Sequence, residues 1–261
     1  MISLRKGKLQ SRYTVVNGLS MHARMSVEAL PKDATVIILV HGLGVSSRHM
    51  MPTAELLAPD YQVYAPDLPG YGKSDKPQRL LELPELADAL CKWMDEIGIE
   101  RAVLLGNSFG CQVIVEFAVR HPARIERAVL QGPTVDRYAR NFPQQFWRYI
   151  LDTPNEPPSL GLLYFYDYCV TGLQRLIHNI QISLADPIEQ KLPQVSVPTL
   201  VVRGKADPLV PQQWAEEVVD LLPEAQLITI PGAGHAMNYS APLELVRVTQ
   251  AFLNATHPRS P

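Results

Sequence analysis

Cysteine is scarce: Cys91, Cys111 and Cys169 are three in 261 residues, far apart and without a CxxC pair. That excludes a disulfide framework and leaves three reduced, mostly buried thiols. The seven histidines form no HxxxH or HExxH spacing, so no metal site is expected. Neither sign of charge dominates. With 24 basic and 26 acidic side chains and a net charge of −2, nothing in the composition attracts nucleic acid or an anionic membrane. No run of twenty apolar residues occurs, which excludes a membrane-spanning helix. The opening MISLRKGKLQ is basic but lacks the apolar stretch of a secretory signal, so a cytoplasmic location is expected. Repeats and low-complexity tracts are absent too. The chain is instead 46% hydrophobic and 19% charged, a globular composition long enough for one large domain or a domain carrying an insertion.

Asn17-Gly18 separates "RYTVV" from "LSMHARMSVE" and marks a hairpin. "ATVIILV" (34–40) is apolar throughout and β-branched, the pattern of a strand covered on both faces of a parallel sheet. Similar runs follow at 61–67, 101–106, 127–132, 198–204 and 225–230. Helical patterns lie between or after them at 84–99, 110–122, 212–223 and 241–256. The alternation predicts an α/β fold: a mostly parallel sheet with helices on both faces and an antiparallel hairpin at one edge. Residues 133–190 break the pattern. They lack a buried-strand run but hold 5 of the 10 tyrosines, 3 of the 6 phenylalanines and one of the three tryptophans. Such enrichment predicts an inserted helical cap over an apolar cleft, with 1–132 and 191–261 forming the core.

"VLLGNSFGCQ" (103–112) places Ser108 between Gly106 and Gly110, straight after a predicted strand and straight before a predicted helix. At this glycine content a GxSxG arises by chance in roughly 0.04 of chains. The strand–turn–helix context is what makes Ser108 a candidate nucleophile, because the sharp turn lifts its hydroxyl above the sheet edge. A hydroxyl attacks only when a base takes its proton, and the chain order serine, acid, histidine directs the search downstream. His235, in "PGAGHAMN", follows the last predicted strand; Asp207, in "RGKADPLVP", follows the strand before it. Asp207 would fix the tautomer of His235 and stabilise its imidazolium. The oxyanion needs preorganised donors, and the backbone amides of Leu43 and Phe109 are the candidates. Asn107, Phe146, Trp147 and Met237 are the candidate pocket residues. Two look-alikes fail. "PGYGKSD" has Asp67 where a phosphate-binding loop needs glycine, which leaves Asp67 a structural residue of the cleft wall, and "GLGVSS" lacks the third glycine of a dinucleotide fingerprint.

Together, His41-Gly42, Asp67-Leu-Pro-Gly70-Tyr-Gly72-Lys-Ser74, Gly106-Asn-Ser108-Phe-Gly110, Asp207 and Gly234-His235 resemble the α/β-hydrolase superfamily over nearly the whole chain outside the cap. The resemblance implies a core sheet of about eight strands. It also implies a cap inserted after "RAVLQG", and a serine-hydrolase mechanism in which water resolves a covalent intermediate without a cofactor. Gly-Asn-Ser followed by an apolar residue is similar to the C–C bond hydrolases of ring-fission dienones. That group has tryptophan where Ala236 stands and a glycine-proline turn where Val45 follows Gly44; Arg175 is the nearest counterpart of its cap arginine. The expected reaction is hydrolysis of a carboxylic ester of a small to medium apolar substrate. The alternatives are C–C cleavage, lactone or thioester hydrolysis, and a ligand-binding or signalling protein with weak turnover. Monomer and homodimer are both compatible with the sequence.

Overall fold

The computed structural model describes residues 5–31 and 33–255. The outermost ends of the two core segments, and the last residue of the helix expected over 241–256, lie outside that range. Leu9–Val16 (β1) and Leu19–Ser26 (β2) pair antiparallel across Asn17-Gly18, whose φ angles of 51° and 80° are those a primed hairpin turn requires. The other strands are Val36–Val40 (β3), Gln62–Pro66 (β4), Ala102–Asn107 (β5), Ile125–Gln131 (β6), Thr199–Gly204 (β7) and Ala225–Ile230 (β8). They form one eight-stranded sheet in the order β1-β2-β4-β3-β5-β6-β7-β8. Every neighbouring pair from β4 to β8 is parallel, and β2 joins β4 antiparallel.

The helices described are Ser47–Leu57 (α1), Leu83–Glu96 (α2), Phe109–Arg120 (α3), Phe142–Asp152 (α4), Pro158–Thr171 (α5), Leu173–Ala185 (α6), Ile188–Lys191 (α7), Gln212–Leu221 (α8), Met237–Ser240 (α9) and Pro242–Asn254 (α10). Side chains alternate faces along a strand, so each strand feeds two cores. Ile38, Val40, Leu104 and Val201 pack with Leu86 of α2, Ile114 of α3 and Trp214 of α8. Ile37, Leu39, Val103 and Leu200 pack with Met50 and Leu57 of α1 and Leu245 of α10. Strands buried on both faces are why these segments read as unbroken apolar runs.

α1 has no counterpart among the helices the sequence pattern predicts. Pro52 sits inside it and interrupts the helical signal. Burial of Met50, Ala54 and Leu57, together with a cap from Ser46 to the Arg48 N–H, outweighs the local penalty. β6 and β7 are sheet neighbours, so the chain between them leaves and returns at adjacent strands, carrying α4 to α7 on the way. Among the described residues no helix is long and apolar enough to cross a membrane. Cys91 and Cys111 are buried and Cys169 is exposed; none forms a disulfide.

Candidate active site

β5 ends at Asn107 and α3 begins at Phe109, leaving Ser108 alone to make the turn. Its φ of 54° and ψ of −118° lie where a residue with a side chain rarely goes. The flanking glycines permit this. A Cβ on Gly106 would sit 2.7 Å from the Gly110 backbone, and one on Gly110 would sit 2.4 Å from the Val40 carbonyl oxygen. Both clashes are with backbone, which cannot swing aside. We expect Gly110→Ala to lower unfolding stability by about 1–3 kcal/mol, read as a shift of the denaturation midpoint, and to impair activity by displacing Ser108.

His235 lies in the loop between β8 and α9. Its Nδ1 is 2.8 Å from Asp207 Oδ2, while Asp207 Oδ1 accepts the N–H groups of Leu209 (2.8 Å) and Val210 (3.1 Å). Because the carboxylate only accepts, Nδ1 carries a proton in either charge state, and in the neutral ring Nε2 is left with a free lone pair. Nε2 is buried and has no hydrogen-bond partner. Burial opposes the imidazolium, but the Asp207 carboxylate, seconded by Asp152 and Glu156, prevails and raises the His235 pKa to about 9. Ser108 Oγ lies 3.3 Å from the Thr134 hydroxyl.

The histidine loop is held from two sides. From the sheet, Asn107 Nδ2 and Gln131 Nε2 both donate to the His235 carbonyl, at 3.3 and 2.7 Å. From above, the His235 N–H donates to Asp152 Oδ1 at 3.2 Å and the Ala236 N–H to Glu156 Oε1 at 2.7 Å. Burial raises both of these carboxyl pKa values. A Cβ at position 234 would come within 2.6 Å of Glu156, so Gly234 is what allows the approach. Sequence reasoning missed Asp152 and Glu156, which stand some eighty residues from the loop they grip and belong to no motif.

Ser108 and His235 line one cavity of about 450 Å³ under α4, α5 and α6. Leu43, Asn107 and Phe146 line it as well, whereas two of the expected pocket residues do not. Trp147 projects to solvent, 62% exposed, because it follows Phe146 around α4 and faces away. Met237 is fully buried in the core beside Leu245 and Phe252, on the α1/α10 side of the sheet. Phe109 is itself buried; its amide opens α3 and so has no intrahelical acceptor. The lining is mostly aromatic and aliphatic, with no arginine or lysine among the residues identified. Arg175 donates to the Pro77 carbonyl at 3.1 Å and packs against Gly70, outside that lining. His49 also lines the cavity, and burial drives its pKa to about 3, so it stays neutral.

Asp67 is a turn organiser. Its carboxylate accepts from His22 Nδ1 (2.8 Å) and from the N–H groups of Ser47 (2.6 Å) and Lys73 (2.9 Å). Buried His41 accepts the Leu68 N–H on Nε2 and bonds the Gly42 carbonyl through Nδ1, tying this turn to the loop that carries Leu43.

A mostly parallel eight-stranded sheet with its candidate nucleophile on a strained strand–helix turn, and an acid-bound histidine at the same cavity, has the architecture of an α/β-type hydrolase. The chain belongs to the alpha/beta hydrolase family, whose model matches residues 37–248. It is 27% identical over 248 residues to the putative carbamate hydrolase RutD of Pseudomonas savastanoi pv. phaseolicola, covering 85% of this chain and 95% of that one. It is 28% identical over 247 residues to carboxylesterase YbfK of Bacillus subtilis, covering 85% and 81%. It is also 25% identical over 264 residues to 2-hydroxy-6-oxononadienedioate/2-hydroxy-6-oxononatrienedioate hydrolase 2 of Pseudomonas putida, covering 86% and 90%. These relatives are hydrolases, but they act on different bonds, so the choice of bond must come from the cavity.

Proposed function

We propose that the protein hydrolyses carboxylic esters of small to medium apolar acids through an acyl-enzyme. The observation that carries this reading is His235. It shares a cavity with the strained Ser108, carries its proton on the Asp207 side and keeps a free, buried Nε2. Ser108 Oγ attacks the ester carbonyl as Nε2 takes its proton, and the oxyanion is met by the amides of Leu43 and Phe109. The imidazolium returns that proton to the departing alkoxide, releasing an alcohol. A water then attacks the acyl-enzyme with His235 again as base, freeing the acid and restoring Ser108. The helices between β6 and β7 act as the cap, and Asp152, Glu156, Asn107 and Gln131 act as positioning residues that fix the histidine loop.

The ester reading is favoured over C–C cleavage because, among the described residues, no arginine or lysine lines the cavity to hold an anionic dienone, and Arg175 is engaged elsewhere. The test is a set of p-nitrophenyl esters from acetate to dodecanoate, run beside a lactone, a thioester and a ring-fission dienone. The ester series should give the highest kcat/KM, peaking at a short or medium acyl chain that fills about 450 Å³. A higher kcat/KM on the dienone would overturn the ester assignment.

A further inference from the structure

The outer surface of the helices above the cavity is almost free of charge. Of the residues exposed between 137 and 190, Arg137 alone is charged, and it is paired with Glu217 at 2.7 Å. The acids of this segment are turned inward. Asp136 pairs with Arg148, Asp186 with Lys191 and Glu189 with Arg140, while Asp167 accepts from Ser46 and Asp152 and Glu156 from the histidine loop. What remains outside is uncharged: polar side chains such as Asn141, Gln144, Gln174 and Gln181 flank a strip of apolar ones. Phe142, Phe146 and Ile150 recur at helical spacing along α4 with Trp147 beside them, and Leu173 and Ile177 do so along α6.

This surface runs into the cavity. Phe142, Phe146, Leu173 and Ile177 are each about half exposed or more, and the same four side chains line the space that holds Ser108. A soluble monomer has no reason to leave a large contiguous patch bare of charge. A second copy of the chain seated here would cover Phe142, Phe146, Leu173 and Ile177, the side chains that join this surface to the cavity. Among the described residues of this face no cluster of basic side chains is exposed, so nothing on it attracts anionic headgroups.

We propose that this face docks on a neutral or zwitterionic lipid–water interface, taking ester lipids from the apolar phase directly into the cavity. The proposal rests on the ester-hydrolase reading for the destination of the lipid, but the docking itself is separable from it. α4 and α6 lie in the interface as amphipathic elements, with their charged partners held on the core side.

Trp147 reports on docking directly: it is 62% exposed, whereas Trp93 and Trp214 are 0% and 1% exposed. Adding phosphatidylcholine vesicles to the full-length protein should shift its tryptophan emission to shorter wavelength, and the protein should float with the vesicles. Trp147→Phe should abolish the spectral shift but keep flotation. Trp147→Glu and Ile150→Glu, neither of which lines the cavity, should weaken flotation at least tenfold. Both should hydrolyse dissolved p-nitrophenyl acetate within twofold of wild type. A short-chain triglyceride should be cleaved several-fold faster once its concentration passes the solubility limit, and the Glu variants should lose that rise. Wild-type protein that cleaves the dissolved ester but neither shifts nor floats overturns the docking proposal and leaves the ester reading standing. Flotation only with anionic vesicles, or a concentration-dependent dimer that shields Trp147, also overturns it. Docking without cleavage of any dissolved ester counts against the ester reading instead.

Discussion

Ser108→Ala is expected to leave a folded protein whose kcat on p-nitrophenyl butyrate falls by about a millionfold, and His235→Ala should fall by a similar amount. In the proposed mechanism the two side chains act as one device. Without Nε2 the hydroxyl keeps its proton, and without the hydroxyl the imidazole has nothing to activate, so the double variant should be scarcely worse than either single one. A fluorophosphonate should label wild-type protein at Ser108 and fail to label Ser108→Ala. Retained turnover in either single variant, or labelling at another serine, would remove Ser108 from the mechanism. Alanine keeps the strained φ of 54°, so the lost activity is not accompanied by relief of the turn. Glycine does relieve it. Ser108→Gly should be equally inactive and more stable than Ser108→Ala by about 1 kcal/mol, the strain released less the extra freedom glycine gains when unfolded. That pair of variants separates the chemistry of the hydroxyl from the conformation that presents it.

The parts of this protein that were legible in its sequence are those where one local signal has one physical cause. The strands of the parallel sheet appear as apolar runs because both faces are buried, and Asn17-Gly18 marks a turn that needs positive φ twice. The closeness of Ser108, Asp207 and His235, the candidate catalytic residues, could be read because chain order and strand ends bring them to one sheet edge. Besides Asp152 and Glu156, three things were not legible. α1 hides behind Pro52, whose local penalty is overcome only by burial that the sequence does not display. Trp147 and Met237 carry the right chemistry for a pocket but face the wrong way, since rotation about a helix axis is set by packing. Asn107 suggested a particular reaction through its place beside the serine. In the structure its amide donates to the His235 carbonyl, a positioning contact that any reaction using this histidine would need.

Asp207→Asn should cost about 10⁴ in kcat and also move the pH profile, and the direction of that move is diagnostic. His235 is the base only when neutral, so kcat/KM in the wild type should climb about tenfold per pH unit and level off above an inflection near 9. Opposing influences set that inflection: burial favours the neutral ring, and the Asp207 carboxylate, ahead of Asp152 and Glu156, favours the charged one. An amide at 207 removes the largest of the raising contributions and leaves burial in place, so the inflection should fall from about 9 toward the ordinary histidine value of 6.5. The asparagine side chain can also present its N–H to Nδ1, which puts the imidazole proton on Nε2 and blocks proton abstraction at any pH. Hence the residual rate should remain low on the plateau as well as shift. Asp152→Asn and Glu156→Gln make the complementary case. Each keeps an oxygen to accept the His235 or Ala236 N–H but loses its charge, so the inflection should move to lower pH while plateau kcat stays close to wild type. A purely structural role for these carboxylates would leave the inflection where it was. An unmoved inflection in Asp207→Asn would mean that the titrating base is a group other than His235.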